Sequence, residues 1–192
     1  MGDSQLTSDV ERLLESFGKL PEPVVKPTFI VVSGLPGTGK SYFCGKLAER
    51  LRFVVLESDA LRKTLFPVPG YSPEESARLF RALHRLIEGL LKKGVSLILD
   101  ATNLSERNRE RLYNIADRLE AKLVLVRVEA PPEVVYARLK SRVGGADKSD
   151  ADWSVYQKMK PAVERIRRNH YAVDTSRDIT PVLDKIVREV KR

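Results

Sequence analysis

Apolar runs and helical patterns alternate along the chain from Thr28 onward. Strands are predicted at residues 28–33, 53–56, 95–99, 123–128 and 171–173, several of them apolar on both faces, which is typical of a parallel sheet. Helical spacing predicts helices near 40–51, 73–93, 105–120, 132–142, 150–168 and 180–191. This alternation predicts a three-layer α/β domain with helices on both faces of the sheet.

Residues 1–27 stand apart from this pattern. Four apolar residues at helical spacing predict a short amphipathic helix: Val10, Leu13, Leu14 and Phe17. Three prolines then predict an extended linker: Pro21, Pro23 and Pro27. We expect the helix to pack on the outside of the domain formed by residues 28–192.

Composition narrows the class of protein. A chain of 192 residues with 42% hydrophobic content fits one α/β domain. No apolar run is long enough to span a bilayer and no basic-then-apolar leader is present, so we expect a cytoplasmic protein without a membrane partner. The single cysteine, Cys44, cannot form an intramolecular disulfide.

The chain is basic, with a net charge of +8. Its positive residues are interleaved with acids, which favours an ion-paired surface. A basic surface also attracts phosphate-rich partners, so nucleic acid and a phosphorylated small molecule both stay open as partners.

A phosphate-binding loop is predicted where the first strand meets the first helix of the domain. The segment matches G-x-x-x-x-G-K-(S/T) and consists of Gly34, Leu35, Pro36, Gly37, Thr38, Gly39, Lys40 and Ser41. Glycines allow backbone N–H groups to surround the β-phosphate of ATP, and the helix N-terminus adds a favourable dipole. We expect Lys40 to bridge the β- and γ-phosphates and Ser41 to ligate Mg²⁺.

A second group of polar residues follows the second predicted strand. Asp59 is placed to accept the proton of an attacking hydroxyl, as a general base. Arg62, on the same helical face, would hold a phosphate or another anion of the acceptor. The alternative is an N-capping aspartate with an exposed arginine.

The third predicted strand ends in a carboxylate, Asp100, placed like a Walker B acid that orients magnesium or its waters. Thr102 and Asn103 would present polar groups to the γ-phosphate or the acceptor. The alternative for these residues is ordinary strand-end turn chemistry.

A helical lid is predicted over about 138–160. Arg138 and Arg142 share a helix face and would stabilise charge on the transferring phosphoryl group. Gly144 and Gly145 would form a hinge before a helix capped by Ser149. The alternative is a basic helix end that complements the helix dipole.

Together, the segments GLPGTGKS, ESDALR, LILDATN and ARLKSR resemble the small P-loop kinases grouped around the polynucleotide 5′-kinase fold. Zeta-type toxins, chloramphenicol phosphotransferase and the seryl-tRNA kinase lie in the same neighbourhood. The resemblance covers residues 28–177 and implies a five-stranded parallel sheet in the order 2-3-1-4-5. It also implies that Asp59 is the general base, Arg62 contacts the acceptor, Arg142 engages phosphates, and Thr175 and Ser176 lie near adenine.

The sequence therefore predicts an ATP- and Mg²⁺-dependent kinase whose acceptor carries a hydroxyl group. A polynucleotide 5′-hydroxyl or RNA and a small metabolite, sugar or antibiotic remain alternatives, with a pocket built from the stretch after Asp59 and helix 73–93. A nucleotide-dependent, RNA- or tRNA-associated ATPase switch is the alternative of another class. We interpret His84, His170 and Cys44 as structural, and Trp153 and Tyr156 as a packed pair.

Overall fold

The computed structural model describes residues 2–142 and 152–192. Five parallel strands form one sheet in the order β2-β3-β1-β4-β5, which confirms the order that the resemblance implies. The strands are β1 (Thr28–Ser33), β2 (Val54–Glu57), β3 (Leu97–Asp100), β4 (Lys122–Glu129) and β5 (Tyr171–Asp174). Each lies within two residues of its predicted position.

Eight α-helices surround the sheet in the described part of the chain. They are α1 (Gly2–Glu15), α2 (Lys40–Leu51), α3 (Ser58–Leu65), α4 (Pro73–Lys92), α5 (Glu106–Arg118), α6 (Pro132–Arg142), α7 (Trp153–Met159) and α8 (Thr180–Val190). Helix α4 starts as its sequence predicts, because the Ser72 hydroxyl accepts a hydrogen bond from the Glu75 backbone N–H and Pro73 occupies the first turn. Helix α3 is additional to the predicted set.

The sheet separates two apolar layers because successive strand residues point to opposite faces. Phe29 and Val31 of β1 pack with α1, α3, α4 and α5, whereas Ile30 and Val32 pack with α2 and α8. All four side chains are fully buried or nearly so. The three-layer prediction is therefore confirmed.

Helix α1 is longer than its apolar spacing predicts and packs against α3 and α4. Leu13 is fully buried in the same apolar layer as α4. Asp9 is also buried, and Arg78 of α4 donates to its two carboxylate oxygens at 2.7 Å each. The N-terminal helix is thus tied to α4 by a core contact and by a bidentate ion pair.

The prediction of one helix over 150–168 is wrong after Met159. A short 3-10 helix (Lys160–Ala162) follows α7, and residues 163–170 are not helical. Pro161 lacks the N–H that an α-helix needs. The Glu164 N–H then bonds the Leu104 carbonyl at 3.0 Å, so this stretch pairs with the loop after β3 instead. Helix α7 is capped by Asp152, which accepts from the Val155 N–H, and Ser149 lies outside the described residues.

None of the helices in residues 2–142 and 152–192 combines the length and apolarity that a bilayer crossing requires.

Candidate active site

The loop between β1 and α2 approaches its surroundings so closely that its glycines leave little or no space for a side chain. Gly39 caps α2 in a left-handed conformation (φ 90°), and a Cβ there would lie 3.0 Å from Thr175 Oγ1. A Cβ on Gly37 would lie 2.8 Å from side-chain atoms of Val135 and Leu139. The glycines of the motif therefore serve both the loop conformation and its packing against α6 and the segment after β5.

Internal hydrogen bonds hold this loop in shape. The Thr38 hydroxyl donates to the Leu35 carbonyl at 2.7 Å, and Lys40 Nζ donates to the same carbonyl at 3.1 Å. The Gly34 N–H donates to the Thr102 carbonyl at 3.1 Å. The last bond joins the start of the phosphate loop to the segment after β3.

An oxygen pair suited to Mg²⁺ forms beside the loop. The Ser41 hydroxyl donates to Asp100 Oδ2 at 2.6 Å, which brings together the two predicted metal ligands. Glu57, which the sequence interpretation did not select, stands opposite Asp100 in the parallel register of β2 and β3. Hydroxyl and carboxylate oxygens are the donors that Mg²⁺ prefers. The residues present therefore fit this ion.

The described residues contain no cluster of three or more histidine, cysteine or carboxylate groups placed to hold a metal. The pair Ser41 and Asp100 would therefore leave the other coordination positions to phosphate oxygens and water, as is usual for Mg²⁺ in phosphoryl-transfer sites.

Asp59 lies in the first turn of α3, half-buried, directly after the end of β2. The alternative of an N-capping aspartate is wrong, because the cap position is Glu57. Arg62 is buried rather than exposed: its Nη2 donates to Ser76 Oγ at 3.2 Å, and its guanidinium lies 4.8 Å from the centre of the Tyr71 ring. Its Nε and Nη1 atoms are buried without hydrogen-bond partners, although Nη1 lies 3.6 Å from Glu75 Oε2 in an ion pair.

The loop after β3 uses its predicted acceptor residues differently. Asn103 is buried in a left-handed conformation (φ 47°), and its amide donates to the Val32 carbonyl at 3.2 Å, as expected for strand-end turn chemistry. Thr102 is half-buried on a cavity wall. Buried Arg109 fixes this loop by donating to the carbonyls of Asn103 and Leu104 at 2.8 and 2.7 Å.

Arg138 contacts the phosphate loop from the side of β5. It donates to Thr175 Oγ1 and to the Thr175 carbonyl at 2.8 and 2.9 Å, and Thr175 Oγ1 donates to the Thr38 carbonyl at 2.5 Å. Ser176 bonds Asp174 Oδ1 through its N–H and hydroxyl. This geometry makes Arg138 a support of the loop and of the predicted adenine side. The Arg142 side chain and residues 143–151 of the predicted lid lie outside the described residues.

Aromatic rings of α6 and α7 pack beside the phosphate loop. The Trp153 ring stacks on Tyr156 with centroids 4.8 Å apart and meets Tyr136 edge-on. Leu35 of the loop packs against the same cluster. The interpretation of Trp153 and Tyr156 as a packed pair matches this arrangement.

A cavity of about 800 Å³ opens next to this site between α4 and α5. The loop 102–105 forms its floor. Helix α4, which was predicted to border the acceptor pocket, contributes Phe80 and Arg81, and α5, which was not, contributes Asn108 and Arg111. His84 lines the same space, and burial together with nearby Arg111 lowers its pKa. These residues lie on two helices that are distant in sequence. Their spacing within each helix was the only sequence feature that could have indicated a shared face.

The strand order, the phosphate loop after β1 and the carboxylate at the end of β3 define a P-loop kinase domain. The chain belongs to the AAA_33 family of AAA domains, whose profile matches residues 29–166. The narrower relationship to the polynucleotide 5′-kinase group remains a hypothesis.

Similar proteins include kinases. The adenylate kinase isoenzyme 6 homolog of Drosophila melanogaster is 26% identical over 70% of this chain and 91% of its own length. The L-seryl-tRNA(Sec) kinase of Methanococcus maripaludis is 33% identical over 57% of this chain and 44% of its own length. The structure of Chaetomium thermophilum Kti12 with ADP-AlF3 aligns over 84% of this chain and 98% of that one, with a TM-score of 0.68 and 20% identity. Family and relatives place the chain among the ATP-dependent phosphotransferases.

Proposed function

We propose that the chain transfers the γ-phosphoryl group of ATP to a hydroxyl group of an acceptor bound in the cavity between α4 and α5. The contact of 2.6 Å between Ser41 Oγ and Asp100 Oδ2 carries this proposal, because it joins the phosphate loop to the strand-end carboxylate. Mg²⁺ bound by these two oxygens would neutralise charge on the β- and γ-phosphates.

The chain's own residues divide the remaining work. Backbone N–H groups of residues 34–41 would cradle the phosphates, and Lys40 would neutralise the charge that develops as ADP leaves. Asp59, half-buried at the start of α3, would accept the proton of the acceptor hydroxyl. Arg142 would approach the phosphates from the end of α6, while Arg138 would hold Thr175 and Ser176 beside the adenine.

Arg62 is assigned to the acceptor side. Its buried guanidinium has two nitrogens without hydrogen-bond partners, and the Tyr71 ring covers it. Its Nη1 lies 3.6 Å from Glu75 Oε2, so Glu75 balances the charge of Arg62. An acceptor anion that reached Arg62 would supply the hydrogen bonds that Nε and Nη1 lack. Displacement of Tyr71 would accompany such binding.

The cavity favours a small acceptor over a polynucleotide end. Its volume, about 800 Å³, lies in the range of small-ligand sites. The loop that forms its floor bonds to Gly34 through the Thr102 carbonyl, so an acceptor hydroxyl placed there would lie next to the phosphate loop. A polynucleotide 5′-hydroxyl and RNA are included among the acceptors tested below.

The experiment is phosphoryl transfer from γ-labelled ATP to a panel of acceptors. The panel contains 5′-hydroxyl DNA and RNA, tRNA, mononucleotides, sugars, sugar acids, aminoglycosides and chloramphenicol. We expect Mg²⁺-dependent labelling of a small hydroxylated compound. If no acceptor of the panel is labelled and RNA or tRNA stimulates ATP hydrolysis, the proposal is contradicted and the ATPase switch is favoured.

A further inference from the structure

The cavity between α4 and α5 has positive charge at its mouth. Arg81 of α4 and Arg111 of α5 both line it and are exposed, and neither forms an ion pair with a residue of the described ranges. The acidic side chain in its wall is Glu74, which is exposed in the first turn of α4. Two arginines from different helices thus face one space without an acidic partner.

The inner part of the cavity has a different character. Leu83, Leu99 and Leu112 line it and are buried, so the middle of the wall is apolar. At the floor, Thr102 and Asn103 provide polar groups next to the phosphate loop. A ligand that filled this space would place a polar end at the loop and its other end between the arginines.

We propose that the acceptor is a small hydroxylated compound that carries a phosphate, sulfate or carboxylate group, and that Arg81 and Arg111 bind this anionic group. The inference rests on the proposed function and specifies its substrate class. The guanidinium fork matches the planar or tetrahedral oxygens of these anions. The reacting hydroxyl would then lie at the opposite end, near Thr102.

His84 adds a hydrogen-bonding group to the same wall. It lies one turn after Arg81 on α4, with its ring 6.4 Å from that of Phe80. Burial, followed by the positive charge of Arg111, lowers its pKa, which favours the neutral imidazole. A neutral imidazole can donate one hydrogen bond to the acceptor without adding a third charge.

The chain contains two histidines, which makes anion binding directly observable. Inorganic phosphate, and separately sulfate, would be titrated at pH 7 into the full chain saturated with Mg-ADP, so that the phosphate loop is filled. We expect the ring proton resonances of His84 to shift with saturation, and those of His170, which lies against the Arg168 carbonyl, to stay. The proposal would be overturned if neither phosphate nor sulfate shifted the resonances of His84.

Matched variants locate the site. Arg81→Gln and Arg111→Gln should each weaken anion binding about tenfold, as for loss of one charged hydrogen-bonding partner. Arg85→Gln and Arg107→Gln are the controls, because these exposed arginines lie on the same two helices outside the cavity wall. An equal loss in the control variants would mean general charge attraction and would overturn the assignment.

Transfer kinetics test the substrate class with pairs of acceptors that differ in charge: glycerol and glycerol 3-phosphate, glucose and gluconate, adenosine and adenosine 5′-monophosphate. We expect the charged member of a pair to be preferred by about tenfold or more in kcat/KM, and the double variant R81Q/R111Q to lose that preference through KM. The inference would be overturned if the neutral member of a pair had the same kcat/KM as the charged member, or if a long polynucleotide had a higher one. The kinase function would stand in either case. Anion binding at His84 without any transfer would instead count against the proposed function.

Discussion

Gly39 has a backbone conformation that few other residues could adopt. It adopts φ 90° at the cap of α2, and a Cβ would lie 3.0 Å from Thr175 Oγ1. We expect Gly39→Ala to lower the free energy of unfolding by about 1–2 kcal/mol, the cost of a left-handed alanine, and to weaken ATP binding. Urea unfolding and nucleotide titration measure the two effects.

Gly45 provides the matched control within the same helix. A Cβ there meets no atom within 4 Å. Gly45→Ala should therefore raise the free energy of unfolding by about 0.5–1 kcal/mol, since alanine is the better helix former. If the two variants had the same effect, close packing of the phosphate loop would not be the reason for Gly39.

Single residues were predictable from the sequence where a motif fixes their contacts. Ser41 and Asp100 meet because the motif and the strand end each have one defined place in a parallel sheet. Arg138 shows the limit of such reasoning: helical spacing relates it to Arg142, but its contact with Thr175 depends on how α6 packs against the segment after β5.

At the scale of elements, Arg109 joins two loops that shape the cavity. Besides the loop after β3, it donates to the carbonyls of Glu164 and Arg165 at 3.0 and 2.9 Å. Arg109→Gln should lower the free energy of unfolding by about 3 kcal/mol, because four carbonyls, those of Asn103, Leu104, Glu164 and Arg165, lose the charged donor of a buried side chain. It should also raise the acceptor KM more than it lowers ATP affinity.

Exposed Arg107, two residues earlier on α5, is the control for that variant. Arg107→Gln should change the unfolding free energy by less than about 0.5 kcal/mol. An Arg109 variant as stable as this control, with an unchanged acceptor KM, would contradict the role given to Arg109.

The wrongly predicted helix over residues 163–168 has the same origin as the missed role of Arg109. Local spacing favours a helix there, yet the backbone of Glu164 bonds across to Leu104, which lies far away in sequence. Strands were easier, since apolar residues on both faces leave few alternatives. Helix 73–93 was predicted to border the acceptor pocket, and α4 lines the cavity, whereas the described lining contains no residue of the stretch after Asp59. The part of α5 was not predictable, because neither helix alone indicates which face is turned to the other.

At the scale of the whole molecule, the pair of Asp9 and Arg78 links stability to pH. Hydrogen bonds from Arg78 hold the pKa of buried Asp9 below its ordinary value. The stabilisation is therefore complete above about pH 4, the pKa of an unfolded aspartate, and is lost as the pH falls through the lower folded pKa. Protonation of Asp9 loosens α1 from α4.

Asp9→Asn tests this linkage. The variant should lose about 1–3 kcal/mol of unfolding free energy at pH 7. The loss relative to the unsubstituted chain should be smaller at pH 3, because the carboxyl of the unfolded chain binds a proton more readily there than that of the folded chain. Urea unfolding at both pH values gives the comparison, with Asp3→Asn on the exposed side of α1 as control. The sign of the linkage would be contradicted if the difference in unfolding free energy between the unsubstituted chain and Asp9→Asn were larger at pH 3 than at pH 7.

In the proposed reaction, Asp59 assists transfer to a hydroxyl group at a nucleotide bound on residues 34–41. Asp59→Asn should lower phosphoryl transfer to the preferred acceptor by about 10²-fold or more, the usual loss of a general base. ATP affinity should change less than threefold, roughly within 1 kcal/mol. It can be followed by the fluorescence of Trp153, which packs against the same apolar cluster as Leu35 of the phosphate loop. The role of Asp59 as general base would be contradicted if the variant transferred phosphate at the rate of the unsubstituted chain. It would also be contradicted if weaker ATP binding explained the whole loss of transfer.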